Sequence, residues 1–288
     1  MWINLSSNHK FRRIFRFQIA WRILQHKLLQ SLFRLHSQKG TIIVETIYGI
    51  KVEYECDSAI GKSLFLEGNF EDQEIRFSLE KALDSKKPII LDIGANIGWH
   101  SLRWAQKRPD ATIFAFEPSP ITRNFLQKNI DANHFGERIH VIPFAVSNKL
   151  GIAKFFHCRD NAYSSLKDTK RQPISDCFEV PVTTVDEFIA SKNLNRVTLL
   201  KIDVEGFEKE VLLGSIRTLE KMKPDLLMEI YSGEASNSDP NGTVQLLINM
   251  GYSAFVLQDG LPTKYTKHSD QHYNYYFTFP GKHNLKIA

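Results

Sequence analysis

Pro88-Ile-Ile-Leu-Asp-Ile-Gly-Ala-Asn-Ile-Gly-Trp-His-Ser101 is the stretch from which the rest of the chain can be read. Ile89 to Ile93 is a short apolar run broken only by Asp92, and Gly94 follows at once. That is the pattern of a buried parallel strand stopping at a tight turn. After Gly98 the period changes: Leu102, Trp104 and Ala105 sit among Arg103, Gln106, Lys107 and Arg108, as on a helix with one apolar side. Strand, glycine turn and helix form the opening unit of a doubly wound, nucleotide-binding α/β sheet. Glycine there takes positive φ and lets backbone approach a ligand. The helix start offers unpaired N–H groups at the same place.

Spacing narrows the ligand. A dinucleotide fingerprint needs G-x-G-x-x-G, but counting from Gly94 the other two positions hold Asn96 and Trp99. A P-loop needs Gly-Lys-Ser/Thr after four residues, and that is absent. What stands instead is Asp92-x-Gly94-x-x-x-Gly98. A carboxylate at the strand end repels a pyrophosphate and suits a cation. S-adenosylmethionine carries a sulfonium and an ammonium and no phosphate, so the pattern points to a methyl donor. Thr112-Ile-Phe-Ala-Phe-Glu117-Pro118 is a second buried strand, and it ends in a carboxylate where such folds bind ribose hydroxyls. The plainer alternative is that Glu117 only ends a strand or caps a helix.

Charge is distributed unevenly along the 288 residues. Hydrophobic content of 42% and charged content of 24% are ordinary for a globular protein. Lys10, Arg12, Arg13, Arg16, Arg22, Lys27, Arg34 and Lys39 precede the first acid, Glu45. Subtracting these eight from a net charge of +5 leaves the rest of the chain at −3, which gives no global steering toward nucleic acid. Phe17, Trp21, Leu24, Leu28, Leu32 and Leu35 recur at helical spacing, so residues 1–40 read as a basic amphipathic helical segment. It fits packing on the domain, peripheral contact with an anionic membrane, or a transit peptide. Cys56, Cys158 and Cys177 have no paired or metal-like spacing, and no apolar run is long enough to span a bilayer. A cytoplasmic protein is expected, with membrane contact open only through residues 1–40.

Further along, Thr41–Thr46 and Ile50–Tyr54 flank Tyr48-Gly49 as a hairpin, and Glu71–Leu83 reads as a helix. Ile121–Ala132 reads as a helix, and Ile139–Val146 as a third strand ending at Ser147. Ligands bind at the carboxyl ends of such strands, so Ala145–Ser147 stand where an adenine is held. Ile152–Phe156 and Phe178–Val182 look like a hairpin around a polar excursion, Arg159–Asp176. A segment this long is a substrate-side lid or a surface loop. Val197-Thr-Leu-Leu-Lys-Ile-Asp203-Val-Glu205-Gly206-Phe-Glu208 closes a strand on three carboxylates, and Pro224–Ile230 puts Glu229 at the same sheet edge. Carboxylates there are candidates for a general base or for metal ligands. Asp203 or Glu205 is the first choice of base and His157, in the excursion, the second. Asp203 and Glu229 are the candidates for a divalent metal. Lys201 reads as structural. Tyr252–Leu257 and Tyr275–Phe279 are the last expected strands.

Leu91-Asp-Ile-Gly-Ala-Asn-Ile-Gly98 with Ser101, Phe116-Glu-Pro118, Ser164-Ser-Leu166, Val182-Thr-Thr-Val-Asp186 and Lys201-Ile-Asp-Val-Glu-Gly-Phe-Glu208 resemble, in order, the FkbM family of methyltransferases. The resemblance runs from about Gly40 to Pro280. It implies a Rossmann-like, doubly wound, seven-stranded methyltransferase sheet with an antiparallel last strand. The chain then divides into residues 1–40, the basic helical segment, and one methyltransferase domain, 41–288. Within it, 41–85 supply the hairpin and helix and 86–288 the core. It also implies S-adenosylmethionine-dependent methylation, typically of a hydroxyl on a sugar or other small metabolite. Carried over, Asp92, Gly94, Asn96 and Gly98 form the donor loop, with Glu117 on the ribose, and Asp203 and Glu205 face the reacting centre; Ala95, within the loop, and Ser147, at the end of the third strand, are further candidates for donor binding. Two other classes compete. One is an inactive methyltransferase-like scaffold at a membrane surface. The other is a nicotinamide oxidoreductase, disfavoured by Asn96 and Trp99.

Overall fold

Alternation along the strands decides the layers. In the computed structural model, which describes residues 40–55, 58–232, 239–258 and 261–283, Ile90 packs into one apolar cluster and Leu91 and Ile93 into another. The next strand repeats this, with Ile113 and Ala115 on one side and Phe114 and Phe116 on the other. Side chains of successive strand residues point to opposite faces, so a sheet with two apolar faces must be covered twice.

In chain order the elements are β1 (Thr41–Glu45), β2 (Lys51–Glu55), α1 (Ala59–Glu67), α2 (Asp72–Glu80), β3 (Ile89–Ile93), α3 (Trp99–Lys107), β4 (Thr112–Phe116) and α4 (Pro120–Ala132). β5 (Ile139–Ile142), β6 (Ala145–Val146), β7 (Gly151–Cys158), β8 (Ile174–Thr183) and α5 (Val185–Ser191) follow. Then come β9 (Leu199–Ile202), α6 (Glu208–Leu213), α7 (Ile216–Lys221), β10 (Asp225–Glu229), α8 (Pro240–Asn249), β11 (Ser253–Gln258), β12 (Leu261–Lys264) and β13 (Asn274–Thr278).

The main sheet has the order β12-β11-β13-β10-β9-β3-β4-β5. From β10 to β5 all pairs are parallel, while β13 lies antiparallel between β10 and β11. The expected antiparallel last strand is there, but the sheet has eight strands, not seven. The extra strand, β12, returns on β11 as a hairpin at the sheet edge, with Leu257 opposite Pro262. An edge is where a strand tolerates proline, which has no N–H for a ladder. The hairpin β1–β2 and helices α1 to α4 cover one face; α5 to α8 cover the other.

A second difference lies at Pro143. The expected single strand Ile139–Val146 is two: β5 pairs with β4, and β6 pairs with β8 in a small sheet ordered β6-β8-β7. A proline without an N–H ends the first ladder, and the chain turns toward the second. The shift matters because it brings the hairpin β7–β8, with its excursion, over the carboxyl ends of β3 and β4. Among the described residues no helix is long and apolar enough to cross a membrane. The basic helical segment expected over residues 1–40 lies outside the described residues, apart from Gly40.

Candidate active site

The turn after β3 is built on glycines for steric reasons. Gly94 has φ 80°, and a Cβ there would stand 1.8 Å from the carbonyl oxygen of Asp203. Gly98 has φ 91°, and its Cβ would meet Leu126 Cδ1 at 2.5 Å. The loop also leans on the neighbouring strand, since the N–H groups of Gly94 and Ala95 both donate to Phe116 O, at 3.2 and 2.9 Å. Asn96 takes positive φ (51°), and its N–H donates to Glu117 Oε2 at 3.1 Å. Glu117 Oε1 accepts from Ser119 N–H at 2.9 Å. Burial pushes the Glu117 carboxyl up to about 7, against these two N–H groups that favour its charged form.

Asp92 has a different place from the one its charge predicts. It is fully buried under the loop, where Ser101 Oγ donates to its Oδ2 at 2.6 Å and the Lys201 ammonium stands 3.5 Å from its Oδ1. Parallel pairing of β3 and β9 sets Asp92 beside Lys201, 109 positions away in sequence. The ammonium therefore answers that charge within the protein. Lys201 Nζ also donates to Gly94 O at 3.4 Å and to Asp203 Oδ2 at 3.2 Å, tying the loop to the end of β9.

Two cavities meet at this sheet edge. A narrow slot runs over the loop, walled by Gly94, Asn96, Glu117, Ala145, Phe155 and Leu166. A wider cleft of about 730 Å³ lies beside it, between Glu71, Tyr163, Arg171, Glu229, Tyr231 and Tyr273. Asn96, Ala162, Asp203 and Glu205 line both. Of the residues expected for a donor site, Gly94, Asn96 and Glu117 are brought to the slot. Ala95 and Gly98 shape its loop from behind, and Ser147 is not brought there: it is buried, its N–H bonded to Thr183 O at 2.9 Å. Ala145 and Val146, just before it, line the slot.

The carboxylates converge as the strand ends suggest. Asp203, Glu205 and Glu229 each present an oxygen within 4.8 Å of the others, close enough to share a cation. Glu205 sits at φ 53° before Gly206 at φ 99°. Its side chain is ion-paired with Arg171, whose guanidinium lies over the rings of Tyr163 and Tyr231 at 4.4 and 4.5 Å. Burial, then Asp203, pushes the Glu205 carboxyl up to about 8; the same two causes raise Glu229 well above the carboxylate range. Glu71, at the mouth of α2, is raised to about 8 by burial and by Asp203. His157 is not part of this group. It is buried behind the slot wall, with Nδ1 3.2 Å from Ser119 Oγ and 3.5 Å from Ser164 Oγ, and burial holds it below the usual histidine range.

The excursion folds back as a wall. Ser165 pairs with Phe156, and its Oγ donates to Val204 O and Glu205 O at 3.0 and 2.9 Å. Arg171, Tyr163 and Asn161 reach the site from this segment; Glu71, Tyr231 and Tyr273 come from elsewhere. None of these six is marked as a site residue by sequence pattern. Asn161 and Tyr163 belong to the one stretch of the excursion, Asn161–Leu166, that stands out in it.

A mostly parallel α/β sheet whose glycine loop and strand-end carboxylates line a slot at the carboxyl edge has its candidate site where sheets of this kind bind their ligands. The methyltransferase FkbM domain model matches residues 92–254. The chain belongs to that family. Hexuronic acid methyltransferase AglP of Haloferax volcanii is 28% identical over 177 residues, covering 62% of this chain and 67% of that protein. The 2-O-methyltransferase NoeI of Sinorhizobium fredii is 28% identical over 155 residues, with coverages of 49% and 63%. The match therefore spans about two thirds of these relatives' lengths. The solved structure of methyltransferase FkbM from Methylobacillus flagellatus aligns with a TM-score of 0.46 at 18% identity, over 67% of this chain and 44% of that one.

Proposed function

We propose that this chain is an S-adenosylmethionine-dependent O-methyltransferase acting on a hydroxyl of a sugar or other small metabolite. The observation that carries the reading is the junction of a narrow slot and a wide cleft at Asn96, Asp203 and Glu205. A transfer between two bound molecules needs two compartments open to each other at one point, with the reacting atoms held in line.

The slot fits the donor. Its floor is the glycine loop, with Gly94 and Asn96 lining it, and Glu117 stands at the end of β4 to accept from ribose hydroxyls. Phe144, Val146, Phe155 and Leu166 offer apolar surface to a base. When bound, S-adenosylmethionine supplies an electrophilic methyl group. The chain's own part is to hold the acceptor, exclude water and take a proton. Asp203, held by the Lys201 ammonium and lining both cavities, is the carboxylate we assign to accept the hydroxyl proton. Glu205, ion-paired with Arg171 and lining both cavities, is the second carboxylate at the junction and helps to position the acceptor. Three tyrosines, an arginine and several carboxyl groups suit a polyhydroxylated acceptor. The names of AglP and NoeI support an oxygen on a saccharide.

Calorimetric titration with S-adenosylmethionine and S-adenosylhomocysteine tests this, on wild type and Glu117→Ala. Micromolar binding that falls at least about tenfold in the variant is expected, since a buried charge-assisted contact contributes more than a neutral one. Labelled methyl transfer to a panel of saccharides then finds the acceptor, with EDTA and Mg²⁺ arms reading whether the three carboxylates use a cation. No binding to the folded wild type would leave the inactive scaffold as the surviving reading.

A further inference from the structure

Asn161 opens the short 3-10 turn Asn161–Tyr163 and lines the slot. The residue is 97% buried, since only 3% is exposed, yet neither Oδ1 nor Nδ2 has a hydrogen-bond partner among the described residues. The turn itself is well held. The Asp160 carboxylate accepts from Ala59 N–H at 3.1 Å and from Ala162 N–H at 3.2 Å, and Asn161 O accepts from Ser164 N–H at 3.2 Å. Neighbouring polar groups are already engaged: the Glu117 oxygens take Asn96 and Ser119 N–H, and Ser164 Oγ takes Cys158 N–H at 3.0 Å. A carboxamide buried with both positions empty is costly, and folded proteins keep few of them. Here the amide borders a cavity where a bound molecule can fill both positions.

We propose that Asn161 recognises the adenine edge of the donor, with Nδ2–H donating to a ring nitrogen and Oδ1 accepting from the exocyclic amine. The assignment rests on the S-adenosyl reading of the slot. The amino-acid end of that molecule is charged, and its ribose hydroxyls are matched by Glu117. Its base presents a neutral donor beside a neutral acceptor, the pattern that a carboxamide completes with two bonds at once. An amide fixed this way makes the site selective for adenosyl over other nucleosidyl thioethers, because the wrong base leaves a buried group unpaired.

The test is a double-mutant cycle read by calorimetry and melting. Wild type, Asn161→Ala and Asn161→Leu are titrated with S-adenosylhomocysteine and with its analogue lacking the exocyclic amine. Wild type should lose about tenfold in affinity when the amine is removed, whereas Asn161→Ala should bind S-adenosylhomocysteine at least about tenfold more weakly and lose no more than about twofold on amine removal. Asn161→Leu should melt higher than wild type without ligand, because an apolar near-isostere removes the unpaired amide, while binding the ligand more weakly. A merely structural asparagine would lower the melting temperature. Equal affinity for the two ligands in wild type overturns the assignment, even if both variants fail to fold. So does the same amine penalty in wild type and Asn161→Ala, or undiminished S-adenosylhomocysteine binding by the variants. Absence of any binding to wild type instead overturns the donor reading.

Discussion

Gly94 shows how one residue can serve fold and site together. Its φ of 80° is disfavoured for L-residues, and the Cβ of any other residue would lie 1.8 Å from Asp203 O, far inside contact distance. That oxygen is backbone, at the end of β9, and cannot swing aside as a side chain would. Gly94→Ala should therefore push β3 and β9 apart, costing about 2 kcal/mol or more and weakening S-adenosylhomocysteine binding at least about tenfold. Gly136→Ala is the matched control, since nothing lies within 4 Å of the place a Cβ would take there and its φ is ordinary. Urea unfolding and calorimetry on both variants check this. Equal behaviour of the two would show that the loop tolerates a side chain. At this scale the sequence is a good guide where chemistry is local and a poor one where partners are remote. Gly94, Asn96 and Glu117 announce themselves by spacing. Asp92 announces itself too, but its partner does not, because Lys201 reaches it only through strand pairing.

Elements show the same division. The largely buried strands β3 and β9 and the helix after Gly98 are legible as apolar runs and a change of period. The break at Pro143 and the edge strand β12 are not, because they depend on which neighbour is available to pair. The excursion is visible as an anomaly in composition, but its role as a wall follows only from Ser165 and Arg171 reaching the end of β9. The N-terminal hairpin is joined to the core by a contact that sequence does not advertise. Buried Asn129 on α4 accepts from Glu53 N–H at 2.6 Å and donates to Glu53 O at 3.0 Å and Ile97 O at 2.9 Å. It thus joins β2 to the glycine loop after β3. Asn129→Ala should cost about 3 kcal/mol, since it strands several buried backbone groups, and should loosen ligand binding as well. Asn133 makes a similar pair of bonds to Lys51 at the exposed end of the hairpin, so Asn133→Ala should cost about 1 kcal/mol or less. Equal losses for the two, measured by urea unfolding, would show that the bridge to Ile97 adds nothing.

For the whole molecule, the crowding of carboxyl groups at one sheet edge sets how stability depends on pH. Burial raises Glu117 and Glu208 to about 7 and Glu71 and Glu205 to about 8, with Glu229 raised well above the usual range. In the unfolded chain these groups ionise near the ordinary glutamate value of 4.5. An acid with a raised folded pKa keeps its proton in the native state after the unfolded chain has lost it. Folding therefore takes up protons, and stability falls as pH rises through the folded value. His100 and His157 act oppositely, because burial holds both below 6.5, but that contribution is complete once the unfolded histidines are neutral. The lowered Asp110, Asp225, Asp239 and Asp270 titrate on the acid side and stay charged throughout this range. Between about pH 6.5 and 8.5 the five raised glutamates outweigh the two histidines, whose opposing contribution fades as the unfolded imidazoles lose their protons, so the melting temperature of the ligand-free protein should fall across that window. Glu229→Gln, which removes one proton-linked group while keeping its shape, should melt higher at pH 8 than wild type and show a shallower slope. Melting curves in buffers matched for ionic strength decide it. A melting temperature that is flat or rising from pH 6.5 to 8.5 would mean the cleft ionises freely, with water reaching all of its carboxylates.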